Sequence, residues 1–214
     1  KETIMNNDKQ RTFWEQQNLD VQGMMLNEEA SEFEDMERQE ILGYLPDLTG
    51  KRILEPAAGI GRFTTQFAPK AGHVTALDFV EQFIDQNRAA CAGLNNVTLQ
   101  VSDIMEAEFA PESFDHIFIN WLLMYLTDDH VRLLSERLQS WLAPGGTLFL
   151  RESCVSASNP NAPHPHTHYR DPEEYERILT TGLALLNKGK VQIYVQRYNN
   201  PNQRWWLFSK GNNS

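Results

Sequence analysis

The chain has 214 residues, 41% of them hydrophobic and 22% charged, enough for one sizeable core and too few for two. Its formal net charge of −10, with no basic run, argues against a nucleic-acid partner, because phosphate-backbone affinity rests on clustered Lys and Arg. Cys91 and Cys154 lie far apart in apolar surroundings and signal neither a disulfide framework nor a zinc spacing. With no bilayer-length apolar run and no charged-then-apolar leader, a cytoplasmic monomer without membrane insertion is expected.

In chain order, two polar-rich helical segments come first, near Gln10–Asn18 and Glu28–Leu45. Ala30, Phe33, Met36, Ile41 and Leu45 fall roughly on one face of the second. Glu34, Asp35, Glu37 and Glu40 are read as its solvated face. After "LPDLTG" the pattern changes to alternating strand and helix. Strands are expected at "RILEP", "HVTALD", "VTLQVSD", "FDHIFIN", "GTLFLRES", "VQIYVQR" and "RWWLFSK". Helices are expected at Arg62–Lys70, Val80–Cys91, Asp128–Leu142 and near Pro172–Thr181. Such alternation specifies an α/β fold with a mostly parallel seven-stranded sheet covered on both faces. Only "YNNPNQ" separates the last two strands, so they should pair as an antiparallel hairpin. Of Trp205 and Trp206, one is expected in the core and the other at an edge or interface. The whole chain, 1–214, reads as a single domain, with 1–48 a helical cap or lid and 49–214 the α/β core.

In an open α/β sheet, ligands bind beyond the carboxyl ends of the strands. The polar residues there are Glu55, Asp78, Asp103, Asn120 and the pair Arg151/Glu152. Each alone reads as a helix cap or loop carboxylate; five along one edge point to a site. The turn after the first strand, Ala57-Ala58-Gly59-Ile60-Gly61-Arg62, lacks the third glycine of a dinucleotide binder and the lysine of a P-loop. Glu55 before it would repel a pyrophosphate and attract an ammonium group. Asp78 is placed to accept from two ribose hydroxyls, Phe79 to cover an adenine face, and Asp103 to receive the adenine amine. A ligand with an amino acid, a ribose and an adenine in that order is S-adenosylmethionine.

The stretches "FWEQQNLDVQGMMLN", "LEPAAGIGRFT", "ALDFVEQFI", "NWLLMYLTDD", "LAPGGTLFLRESC", "THYRDPEEY" and "YVQRYNNPNQRWWLFSK" resemble, in order, the first methyltransferase domain of plant and nematode phosphoethanolamine N-methyltransferases. The resemblance implies a Rossmann-like class I methyltransferase fold, S-adenosylmethionine as donor, and phosphoethanolamine or a partly methylated form as acceptor, leading to phosphocholine. It carries the cofactor role onto Glu55, Gly59, Gly61, Asp78, Phe79, Asp103, Ile104 and Asn120. The acceptor falls on Trp121, Tyr125, His168, Tyr169 and Arg170. The sequence departs from the family at Pro56-Ala57, where a small glycine-containing turn is usual.

Methyl transfer from a sulfonium is an in-line displacement that needs alignment and exclusion of water. An acceptor amine must first lose a proton; Tyr125 is the first candidate to take it and His168 the second. A phosphate on the acceptor calls for a bidentate arginine, Arg170, with Tyr169 as hydroxyl donor and Arg151 in reserve. Trp121 and Trp14 would face a methylammonium by cation–π attraction. Trp14 and the Met24-Met25 pair also fit a core role. No metal is expected: the tract His164-Pro165-His166-Thr167-His168 reads as a Pro-rich loop in which His168 alone matters. The alternatives are transfer to another small amine or a thiol, a glycine-type amine for example, and a non-catalytic methyltransferase-like binding domain. A nucleic-acid base methyltransferase is disfavoured by the charge and by Asn120-Trp-Leu-Leu, where such enzymes carry an Asn/Asp-Pro-Pro-aromatic motif.

Overall fold

The computed structural model describes the backbone of residues 2–156 and 166–212, with side chains from residue 9 onward; His164 and Pro165 of the histidine tract lie outside them. Three helices lead: α1 (Glu2–Glu15), α2 (Val21–Met25) and α3 (Ala30–Leu42). There follow β1 (Arg52–Pro56), α4 (Thr64–Phe67), β2 (His73–Asp78), α5 (Glu81–Ala90), β3 (Val97–Val101) and β4 (Phe114–Asn120). A 3-10 turn at Leu123–Tyr125 leads to α6 (Asp128–Trp141) and β5 (Leu142–Ser153). The chain ends with α7 (Pro172–Leu179), β6 (Ala184–Lys190), α8 (Gln192–Tyr198) and β7 (Gln203–Ser209). The strands form one sheet in the order β3-β2-β1-β4-β5-β7-β6, with β7 antiparallel to both neighbours and β1 through β5 parallel.

The central strands are apolar on both sides because helices cover both faces, and successive side chains alternate between two cores. Leu54, Ile117, Ile119, Leu148, Leu150 and Trp206 pack with α6 and α7 on one face. Ile53, Phe118, Phe149 and Trp205 pack with α3, Phe67 of α4 and Tyr194 of α8 on the other. Both tryptophans are therefore core residues, 5% and 1% exposed, one on each face. The expectation that one would sit at an edge fails because β7 runs between β5 and β6.

The seven strands and the antiparallel closing pair are as expected, but the sixth strand is one element earlier. "ALLNKGK" pairs with β7, and "VQIYVQR" lies in the helix between them. The edge strand β6 is mostly exposed, so it lacks the apolar alternation that marks a strand in sequence. The first turn of α8 is held instead by the Glu40 carboxylate, whose Oε2 accepts from the Ile193 N–H at 2.9 Å.

The acidic face of α3 is the second correction. Glu34 and Glu37 are buried, Met36 is exposed, and only Asp35 of the four carboxylates is largely solvated. Arg62 pairs with Glu34 (3.1 Å) and Glu37 (2.7 Å), and Arg151 pairs with Glu37 (2.8 Å). Enclosed charges persist only when paired, and this chain of four joins α3 to the turn after β1 and to β5.

Candidate active site

The chain leaves β1 through a turn that bends back over the sheet. Ala57, Gly59 and Gly61 have φ of +54°, +55° and +90°. Glycine tolerates that region and alanine pays for it, so Ala57 stores strain where the sequence departs from the family pattern. The bend nonetheless forms: the Ala58 N–H donates to Leu77 O at 3.0 Å and the Gly59 N–H to Asp78 Oδ2 at 3.0 Å.

A cavity, open at its mouth, lies beyond the strand ends, where an α/β sheet of this kind binds its ligand. Because the sheet order is β3-β2-β1-β4, its wall carries Asp103, Asp78, Glu55 and Asn120 in that sequence. Phe79, Ile104, Gly59, Trp121, Tyr125 and Trp14 complete much of the lining. Gly61 is not part of the wall; its lack of a side chain makes room for the amide of Asn87. That amide donates to Thr64 Oγ1 (2.9 Å), whose hydroxyl donates to Glu55 Oε2 (2.6 Å). Glu55 and Asp78 are 3% and 5% exposed. Burial pushes the Glu55 carboxyl up to about 8 and that of Asp78 to about 6, the latter opposed by N–H donors from Val80 and Gly59.

On the β4 side the backbone turns sharply at Trp121, whose φ is +59°. The Arg151 guanidinium lies 3.4 Å from the centroid of the Trp121 ring and donates to Asn120 Oδ1 at 3.0 Å. The indole N–H of Trp121 donates to Gln203 Oε1 at 2.9 Å. Trp14 of α1 meets Tyr125 edge-on at 5.6 Å and Phe83 at 6.4 Å. Burial raises the Tyr125 phenol well above its ordinary value and keeps it neutral.

A family profile described as "Methyltransferase domain" matches residues 53–146. Among solved structures, phosphoethanolamine N-methyltransferase 1 of Haemonchus contortus superposes with a TM-score of 0.94 at 32% identity, over 99% of this chain and 50% of that one. That structure holds phosphoethanolamine and S-adenosylhomocysteine. The chain is a class I S-adenosylmethionine-dependent methyltransferase domain. It is homologous to phosphoethanolamine N-methyltransferases: one from Triticum aestivum is 39% identical over 96% of this chain and 44% of its own length, and one from Caenorhabditis elegans 35% identical over 94% and 47%. The methyltransferase chain thus spans about half the length of the curated relatives it matches.

The cavity of this methyltransferase presents its carboxylates in strand order: Asp103 after β3, Asp78 at the end of β2 and Glu55 in β1, the last two buried. Of the other expected residues, Arg151, His168, Tyr169 and Arg170 do not line it. Arg151 is fully enclosed behind Trp121, and Arg170 is 4% exposed. Arg170 donates from Nε and Nη2 to Asp128 Oδ1 (2.9 and 2.7 Å), from Nη1 to Leu123 O (2.9 Å) and His168 O (3.4 Å), and from Nη2 to Leu126 O (2.6 Å). Its five donors are spent inside the protein, which leaves none for the bidentate phosphate contact expected of it. The backbone N–H of His168 donates to Met124 O at 2.7 Å, in the turn that carries Tyr125. The sequence reasoning missed Gln10, Phe63, Phe83 and Ser102 as lining residues; nothing in their local pattern sets them apart from ordinary core or loop residues. Among the described residues no three His, Cys, Asp or Glu side chains converge as a metal site requires, and no helix is long and apolar enough to cross a membrane.

Proposed function

We propose that this domain methylates the nitrogen of phosphoethanolamine or of its partly methylated forms. The observation that carries the reading is one continuous cavity with three strand-end acids along β3, β2 and β1 and an aromatic group, Trp14, Trp121 and Tyr125, beside β4. The homology to enzymes named for that substrate supports it.

When bound, S-adenosylmethionine supplies an electrophilic methyl on sulfur. Glu55 in its ionised form holds the ammonium of the amino-acid end, Asp78 the ribose hydroxyls, and Asp103 the adenine amine, with Phe79 and Ile104 against the ring. Asn120, fixed by Arg151, closes the floor. Trp14 and Trp121 surround the acceptor nitrogen and exclude water, and their ring faces favour a cation as methyls accumulate. Tyr125 is neutral and orients the amine by hydrogen bonding. His168, whose pKa is lowered by partial burial and the neighbouring Arg170 cation, is a neutral base at pH 7 and takes the amine proton through water. The phosphate of the acceptor is assigned to the Tyr169 hydroxyl.

Labelled S-adenosylmethionine tests the reading against phosphoethanolamine, its mono- and dimethyl forms, free ethanolamine and glycine. Transfer is expected to the phosphorylated amines; equal transfer to free ethanolamine refutes the acceptor assignment. His168→Asn should flatten the acid limb of the kcat/KM profile, and an unchanged profile removes His168 as base.

A further inference from the structure

Two enclosed charged residues outside the cavity close on one short stretch of chain. Glu152, near the end of β5 and 0% exposed, accepts from the backbone N–H groups of Leu122 (3.0 Å) and Leu123 (2.7 Å) through Oε1 and of Met124 (3.3 Å) through Oε2. Arg170, behind the same stretch, takes the carbonyls of Leu123 and Leu126. Consecutive donors thus go to a carboxylate and flanking acceptors to a guanidinium. Arg170 is itself fixed by Asp128, in the first turn of α6.

The stretch between them is the 3-10 turn that carries Tyr125 into the cavity. Three residues are too few to hold a helical turn by their own hydrogen bonds, since nucleation fixes several dihedrals for each bond gained. The turn has no side-chain cap of its own, and it follows Trp121 in the left-handed region, a conformation that persists only when the surroundings enforce it. Hydrogen bonds from both sides supply that enforcement, charge-assisted from Arg170 and, once the carboxyl is ionised, from Glu152, whose pKa burial pushes up to about 7 against the three N–H donors. Burying such groups costs more than a neutral cap would; what the pair provides is a fixed geometry.

We propose that Glu152 and Arg170 are positioning residues for methyl transfer, clamping Leu122–Leu126 from its N–H and its C=O sides and so fixing the Tyr125 hydroxyl against the acceptor nitrogen. The inference rests on the role given to Tyr125 above and replaces a substrate-binding role for Arg170. Neither residue touches the substrate; both act through the turn.

Amide hydrogen exchange on the protein with S-adenosylhomocysteine bound tests the clamp without any acceptor. Glu152→Gln keeps the shape and one acceptor oxygen, and should speed exchange of the Leu122, Leu123 and Met124 amides at least tenfold while Ile117–Ile119 in β4 stay protected. Arg170→Lys, measured in the same way, should also loosen the turn, and covers the case in which the glutamine variant does not fold. Unchanged exchange at the three amides overturns the clamp. The link to Tyr125 is read in kcat with phosphoethanolamine. Glu152→Gln and Tyr125→Phe should each lower it tenfold or more with the acceptor KM moved less than threefold, and the double variant should be no slower than Tyr125→Phe alone. Losses that multiply overturn the link. If the unaltered protein transfers no methyl to phosphoethanolamine, the acceptor assignment falls, and the exchange experiment still decides the clamp.

Discussion

Cofactor binding should release a proton, and Glu55 is where it leaves. Its carboxyl is buried, with a pKa near 8 in the ligand-free protein. At pH 7 about nine molecules in ten therefore hold it protonated, whereas an ammonium ligand binds its ionised form. Affinity for S-adenosylhomocysteine should then rise about fifteenfold between pH 6.5 and 8, roughly 1.6 kcal/mol, with release of about 0.9 proton at pH 7. Isothermal titration in buffers of different ionisation enthalpy measures both. The same shift acts on stability. The folded pKa lies above the unfolded value of 4.5, so the folded state binds the proton more tightly. Glu55 then costs nothing below about pH 4.5 and progressively destabilises the ligand-free protein as pH rises to 8, by about 4 to 5 kcal/mol at the limit. Glu55→Gln should bind more weakly with no pH slope and should lose less stability between pH 5 and 8. A flat affinity from pH 6.5 to 8, or the same slope in Glu55→Gln, would refute the assignment of the ammonium to this carboxylate.

Gly61→Ala should cost about 2–4 kcal/mol of stability by thermal melting, since a Cβ at φ +90° is strained and would run into the buried Asn87 amide that supports Thr64 and Glu55. Trp14→Ala should raise the acceptor KM about 3–10-fold through loss of the edge-on contact with Tyr125, with the cofactor Kd changed less than twofold. Glu37→Gln should destabilise by about 3–5 kcal/mol in urea titration, because it leaves Arg151 and Arg62 enclosed without their shared partner.

The sheet through β5 is legible in the sequence because β1, β2, β4 and the second half of β5 are buried on both faces, and because helices alternate with the strands; β3, a partly exposed edge, is legible from its β-branched residues. The four strand-end groups of the cavity wall are legible for the same reason: topology places them wherever the strands stop. β6 escapes because it is an exposed edge, and α8 escapes because Val191, Ile193 and Val195 are β-branched while the helix is decided by contacts with α3. One signal for the buried acids was present and not used: Phe33, Glu37 and Ile41 follow at steps of four, so Glu37 lies on the apolar face. Arg170 marks the other limit. A sequence can show that a guanidinium is available near a phosphate site, but only the fold shows that its donors are already taken.

The N-terminal helices, read together as one cap, separate into two kinds by what holds them. α3 is tied to the core by enclosed ions; lifting it would expose Glu37 and Arg151, both 0% exposed, and break their pair. It is tied to α8 as well, through Glu40 at the Ile193 N–H and through Arg197 at Glu29 beside its start. Among its described side chains, α1 instead meets residues of the cavity wall: Arg11 donates to Phe79 O and lies over its ring, and Trp14 meets Phe83 and Tyr125; Gln10 donates to His166 O. Aromatic contacts of this kind are each worth about 0.5–1.5 kcal/mol, against about 3–5 for stranding a buried ion. On this comparison ligand is expected to enter past α1. Amides of α1 should exchange faster than those of α3 in the ligand-free protein and gain the larger protection with S-adenosylhomocysteine bound. Equal protection of the two helices in both states would show instead that the whole segment is one rigid layer, and that ligand enters elsewhere along the rim.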